Sequence, residues 1–284
     1  KGTFEGVNPA SGMVIYYELP QGESNQPILL EIFDSQGTLV NEFSSIKEVN
    51  YSSYEGGPSR KKTLMHRKGL NRFVWDLRHE GLPGSPKVYI EGSYSGRKAV
   101  PGTYTLKLTQ GNQSLSTQTE IIPNPVHRMS HEEYSAYDEF MSLGEASFIE
   151  MTRMTNALYK NQKRLGQLLK RLNEEGYNAL YSKGKELLNE MKVWDAKMVQ
   201  RLAKAYDDVE NYENGFTAHY LTLLNQVDSD TPRLTQGARS RVTVLNQQWK
   251  ELKKEGETFQ KDKIPAFNAA CFQYGMGVLS SSQP

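Results

Sequence analysis

The sequence holds a single cysteine, Cys271, among 284 residues. That excludes a disulfide within the chain and any zinc centre built on several thiolates. An excess of one charge is also missing: 34 Lys and Arg stand against 33 Asp and Glu, for a formal net charge of +1. A chain so balanced has no electrostatic reason to seek nucleic acid or an anionic membrane surface. Dividing the sequence at Pro125 leaves about +1 before it and about zero after it, so neither half is a specialised charged module. No apolar run approaches the ~18 residues that a membrane span requires. Catalytic signatures are equally scarce. There is no Gly-x-x-x-x-Gly-Lys-Ser/Thr loop, and no Gly-x-Gly-x-x-Gly after a strand. Gly92-Ser93-Tyr94-Ser95-Gly96 has the outline of a nucleophile elbow, but Tyr94 stands where the serine must be. The opening Lys1-Gly2, without Met or a signal peptide, suggests a processed or truncated piece.

What is present changes character once. Up to Pro125 the sequence reads as β. Met13–Leu19 and Ile28–Phe33 are short apolar or β-branched runs, and Asp34-Ser35-Gln36-Gly37 is a turn leading into a strand over Thr38–Phe43. Asn71–Leu77, Thr103–Thr109 and Ser114–Ile122 follow, the last two joined at Gly111-Asn112. Six or seven short strands in this length predict an antiparallel β-sandwich of immunoglobulin-like size. Pro123-Asn124-Pro125 closes it, because proline cannot donate to a ladder.

Beyond Pro125 the apolar period lengthens to three and four. Ser130-x-x-Glu133 is a capping box. Core positions then run Tyr134, Tyr137, Met141, Gly144, Phe148, Met151, Thr155, Leu158, Gln162, Leu165, Leu169 and Leu172. This spacing predicts a helix of about 65 Å at 1.5 Å per residue, stopping at Glu174-Glu175-Gly176. A second helix is expected from Leu180 to Leu202 and a third from Phe216 to Val227, after Asn214-Gly215. A fourth should start with Thr231 as N-cap and Pro232 in the first turn, and Ile264-Pro265 should break or kink it. Long heptads with short turns predict an antiparallel helical bundle.

Few residue sets have the spacing that chemistry needs. Cys271, among Phe267, Ala269, Ala270 and Phe272, reads as a core thiol. His127 and His131 are four apart, but a helix starting at Ser130 leaves His127 outside it, so they read as surface residues. Asp207, Asp208, Glu210 and Glu213 form one acidic cluster and Asp228 with Asp230 another; both read as solvated helix ends. No metal or cofactor is expected. Tyr51, Tyr54, Tyr89 and Tyr94 fall in Gly/Ser-rich loops, where rings either stack on sugars or pack over the end of a sandwich.

A further set of motifs carries a resemblance. Phe4-Glu5-Gly6-Val7-Asn8-Pro9, Ile15–Leu19, Ile32-Phe33-Asp34 with Gly37, Gly69–Arg78 and Ala99–Tyr104 occur in an order similar to the C-terminal region of large exported bacterial proteins with BNR/Asp-box β-propellers. That group includes sortilin-like proteins and proteins classed with glycosyl hydrolases. Trp75-Asp76 followed by Pro101-Gly102-x-Tyr104 also resembles the immunoglobulin-like domain of the flagellar hook-capping protein. Asp262–Asn268 is similar to the closing segment of the propeller family, so the likeness spans nearly the whole chain.

The resemblance implies a module that follows a propeller, since no Asp-box repeat occurs here. The expectation is therefore an immunoglobulin-like sandwich over residues 1–125 and a helical bundle over residues 126–284. This chain would be non-catalytic, supporting or docking a larger exported protein at the periplasm or cell surface of a bacterium. Its partner would be the parent's propeller or another cell-surface protein. The rival reading is a carbohydrate-binding module that meets a glycan through the loop tyrosines. Trp75 and Leu77 should face the core; Asp76 and Arg78 should face a loop or the helices, or else belong to a ligand site. A sugar site requires two or more exposed, coplanar rings on one face.

Overall fold

The computed structural model of the chain describes residues 6, 8–20 and 26–274. Phe4, Glu5 and Val7 of the first motif lie outside the described residues. Six strands come first: β1 (Met13–Leu19), β2 (Ile28–Phe33), β3 (Leu39–Ser44), β4 (Gly69–Trp75), β5 (Gly102–Gln110) and β6 (Gln113–Ile121). Five α-helices follow: α1 (His131–Glu174), α2 (Asn178–Met198), α3 (Phe216–Val227), α4 (Gln236–Thr258) and α5 (Ile264–Gln273).

All strand pairs are antiparallel, in a two-stranded sheet β1-β4 and a four-stranded sheet β3-β2-β5-β6. The β2–β3 hairpin closes where expected. The Asp34 carboxylate accepts from Gln36 N at 2.9 Å and Thr38 N at 2.8 Å, and Gly37 takes the left-handed φ of 79° that the turn demands. Alternate residues from both sheets enter one apolar cluster: Tyr17, Leu30, Ile32, Phe73, Trp75 and Tyr104 are buried there. Trp75 has no exposed surface and meets the Tyr104 ring edge-on at 5.7 Å.

The 44-residue α1 starts at the expected capping box, and every core position read from its spacing is buried. It ends where Gly176 adopts φ 80° and Tyr177 N reaches back to Leu172 O at 2.9 Å. Both α2 and α3 pack on it.

Three expected boundaries differ. Helix α2 ends at Met198, not Leu202, because Val199 turns extended (φ −141°, ψ 144°) and Leu202 is exposed. The start of α3 lies across that exit: Thr217 Oγ1 donates to Met198 O at 2.9 Å, and a Cβ on Gly215 would sit 2.6 Å from Val199 Cα. The cap of α4 is Thr235, not Thr231. Its hydroxyl accepts from Ala238 N at 3.1 Å, and Pro232 stays in the preceding loop. Pro265 does not break the last helix. A π-helical turn over Phe259–Lys263 joins α4 to α5 and brings Ile264 N onto Phe259 O. This wider turn absorbs the clash that the proline ring would make with the carbonyl four residues back.

Candidate functional site

A dense polar cluster lies where residues 76–101 meet the helices. Leaving β4, the chain takes a left-handed step at Leu77 (φ 58°), and Trp75 Nε1 donates to Arg78 O at 2.9 Å. Ala99 N on Leu77 O (2.8 Å) and His79 N on Arg97 O (2.9 Å) then tie the two ends of the loop together. The loop they close carries Leu82, Val88, Ile90 and Tyr94 into the helical core rather than the core of the sheets. Asn225 of α3 clasps Ser93 through both amide groups: Ser93 N donates to Oδ1 at 2.7 Å and Nδ2 donates to Ser93 O at 2.9 Å.

Charged side chains converge at the neck of this loop. Arg97 donates from Nε to Asp138 at 2.7 Å and from Nη1 to Glu145 at 2.7 Å, while its backbone N meets the second Glu145 oxygen at 2.6 Å. Arg78 meets Asp228 at 2.5 Å, and the Tyr137 hydroxyl donates to the other Asp228 oxygen at 2.5 Å. Lys98 N donates to that hydroxyl at 3.0 Å. Burial outweighs the Arg97 contacts at Glu145 and holds its carboxyl above the usual carboxylate range. Burial, with the Asp228 charge beside it, pushes the Tyr137 phenol up. Burial, reinforced by Arg97, lowers His79 to about 4.

Asp228 corrects the reading of its cluster as a solvated helix end. It occupies the C-cap of α3 with its side chain only 12% exposed. A carboxylate there opposes the helix dipole, so Arg78, Tyr137 and Lys98 supply the compensation. Asp208 of the other cluster closes a local turn, accepting from Lys204 N at 2.7 Å. Cys271 is buried, and burial raises its thiol. Among the described residues no group of three or more His, Cys, Asp or Glu side chains could hold a metal ion.

An open cleft of about 1020 Å³ lies beside the neck, between residues 41–62, residues 76–96 and α1. Tyr51, Asp76, Arg78 and Tyr94 share its lining; Tyr54 and Tyr89 are not part of it. Asp76 is exposed and pairs with Lys62 at 3.1 Å, and Arg78 turns to the helices. The Tyr51 ring lies under the Arg60 guanidinium at 4.8 Å and its hydroxyl donates to Pro58 O. Tyr54 donates to Ser85 O at 2.8 Å, and burial pushes it up to about 12. Tyr89 is buried, and its ring packs where a Cβ on Gly56 would fall. Tyr94 is buried edge-on to Phe148 at 6.2 Å. Tyr51, Tyr54 and Tyr89 fasten loops to one another and Tyr94 packs its loop onto α1; the four do not meet the condition of an exposed, coplanar platform.

Sequence reasoning missed Arg97, Asp138 and Glu145 as a unit. Asp138 and Glu145 stand one heptad apart on α1, beside the apolar seam, and two acids so placed are a legible signal. Arg97, in a Gly/Ser loop, carries none. Compared with known proteins, the chain matches no family model, and no curated protein or solved structure is significantly similar to it.

Proposed function

We propose that this chain is a non-catalytic accessory module: an immunoglobulin-like sandwich joined rigidly to a helical bundle, serving as a structural support or docking element of a larger exported bacterial protein. The observation that carries this reading is the neck of the 76–101 loop. Its converging ionisable groups are held by partners within the chain: Arg97 by Asp138 and Glu145, Arg78 by Asp228, and Tyr137 by Asp228. Groups held in this way stiffen a joint. The motif order that resembles the region after an Asp-box propeller supports an exported, propeller-associated placement at the periplasm or cell surface. Burial of Tyr89 and Tyr94 removes the main support for a sugar platform.

Calorimetry of the whole chain, with fluorescence of Trp75 in the β half and of Trp194 and Trp249 in the helices, checks the joint. One coincident transition is expected. Separate melting of the two halves would remove the basis of the rigid support. Turnover of chromogenic glycosides, or glycan-array binding lost in Tyr51→Ala, would overturn the non-catalytic, non-lectin reading.

A further inference from the structure

The two edges of the four-stranded sheet are treated differently. On β3 the outer edge is covered: Glu80 N donates to Val40 O at 3.1 Å, Leu64 N to Ser44 O at 3.0 Å, and Asn41 Nδ2 to Arg78 O at 3.0 Å. On β6, among the described residues, no hydrogen bond reaches the backbone from any element other than β5. The ladder between them runs from Gly102↔Ile121 to Gln110↔Gln113 without a bulge.

Among the described residues, little covers the inner face of β6 either. Thr117 and Thr119 stand opposite Leu106 and Tyr104, which are buried in the core, so they share the core-facing side of the sheet. Because the opposing sheet has only two strands, that side is not covered over most of β6. Residues from Gln113 to Gln118 are exposed, and Leu115 is 80% exposed. Open edges are usually blunted by lysine, proline, a bulge or a covering segment. The strand Gln113–Ile121 has no Lys, Arg or Pro, and Glu120 is its one charge.

We propose that β6 is a strand-pairing surface whose occupant is β6 of a second copy of this chain. Alternate residues of an edge strand offer both N–H and C=O, so nine residues present about eight hydrogen bonds to a partner. The charge pattern is compatible with self-pairing. Around a two-fold axis at Thr117, Glu120 of one copy faces the partner's Ser114, Leu115 faces the partner's Thr119, and no like charges oppose. Pairing in this way would join the two four-stranded sheets into one continuous sheet. The inference rests on the sheet edge alone and stands apart from the support role proposed above.

The whole chain is examined by sedimentation equilibrium across a wide concentration range. A reversible dimer is expected. Leu115→Lys with Thr117→Lys, both at exposed positions, should weaken it by roughly tenfold or more, because the two Thr117 positions face each other. Val244→Lys, exposed on α4, should leave it unchanged. Thr117→Cys should form an intermolecular disulfide on mild oxidation, since opposed Cα atoms of antiparallel strands lie within disulfide range. Cys271 is buried and leaves that readout clean. A chain that remains monomeric, a dimer indifferent to the two lysines, or a dimer whose residue 117 does not crosslink would each overturn the proposal.

Discussion

Between α1 and α2 the contact is mainly apolar: Leu158, Leu165, Leu172, Leu187 and Met191 are buried in one cluster, with one buried hydrogen bond from Gln162 Nε2 to Met191 O. Between α1 and the 76–101 loop it is ionic at the neck and apolar only beyond it. Arg97 reaches Asp138 and Glu145 on the same helix whose other positions pack against leucines. One helix thus presents two surfaces with opposite failure modes. The apolar surface loses stability in proportion to the volume removed. The ionic surface tolerates loss of both partners better than loss of one, because a single deletion leaves a buried charge unpaired.

The sharpest way to break this contrast is at Glu145. Glu145→Ala should cost about 2–3 kcal/mol by urea unfolding, since Arg97 loses its Glu145 contacts and keeps only Asp138. Adding Arg97→Met should recover most of that loss; if the double variant is as unstable as the single one, the ionic account fails. On the apolar surface, Leu165→Ala should cost about 3 kcal/mol, with no rescue available from a second substitution.

Acid separates the surfaces further through His79. Its folded pKa, about 4, lies below the ordinary 6.5, so the unfolded chain binds the proton first as pH falls. Its contribution is intact above pH 6.5 and is lost progressively down to about 4, by at most about 3 kcal/mol. Glu145 acts in the opposite sense. Its carboxyl is raised in the fold, so its linkage favours the folded state as pH falls towards the ordinary carboxylate value. The His79 share is therefore the difference in slope between the native chain and His79→Gln, and identical slopes would exclude it. The smallest effects belong to solvent. Gly166→Ala, in the interior of α1 with open space around it, should stabilise by about 1 kcal/mol. Lys261→Ala, which removes an exposed i,i+4 pair with Glu257, should change stability by less than about 0.5 kcal/mol.

These surfaces also differed in how far they could be read in advance. The core positions of α1 follow from a repeat of three and four, because a helix with one buried stripe has no other way to arrange them. Ser130 and Glu133 marked its start for an equally local reason. Trp75 was legible as core because strands alternate. The end of α2 was not, because Val199 leaves the helix where the start of α3 crosses it. Nor was the cap of α4, read at Thr231-Pro232 but made by Thr235, whose hydroxyl accepts from Ala238 N. Tyr89 and Tyr94 read as loop residues and are buried, Tyr94 because its loop folds onto the helices and Tyr89 because its ring packs against Gly56.

The sequence by itself determined the order of β before α, the strands, the length of the first helix and the absence of a membrane-spanning apolar run. Each depends on periodicity or composition within a few turns of chain. Only the tertiary structure decided that Asp228 is largely enclosed, that Arg97 joins Asp138 to Glu145, and that, among the described residues, β3 is covered while β6 is open. Those facts depend on residues such as Arg78 and Asp228, 150 positions apart, meeting in space. No local pattern encodes a partner at that distance; only the packing of one half against the other brings the charges together.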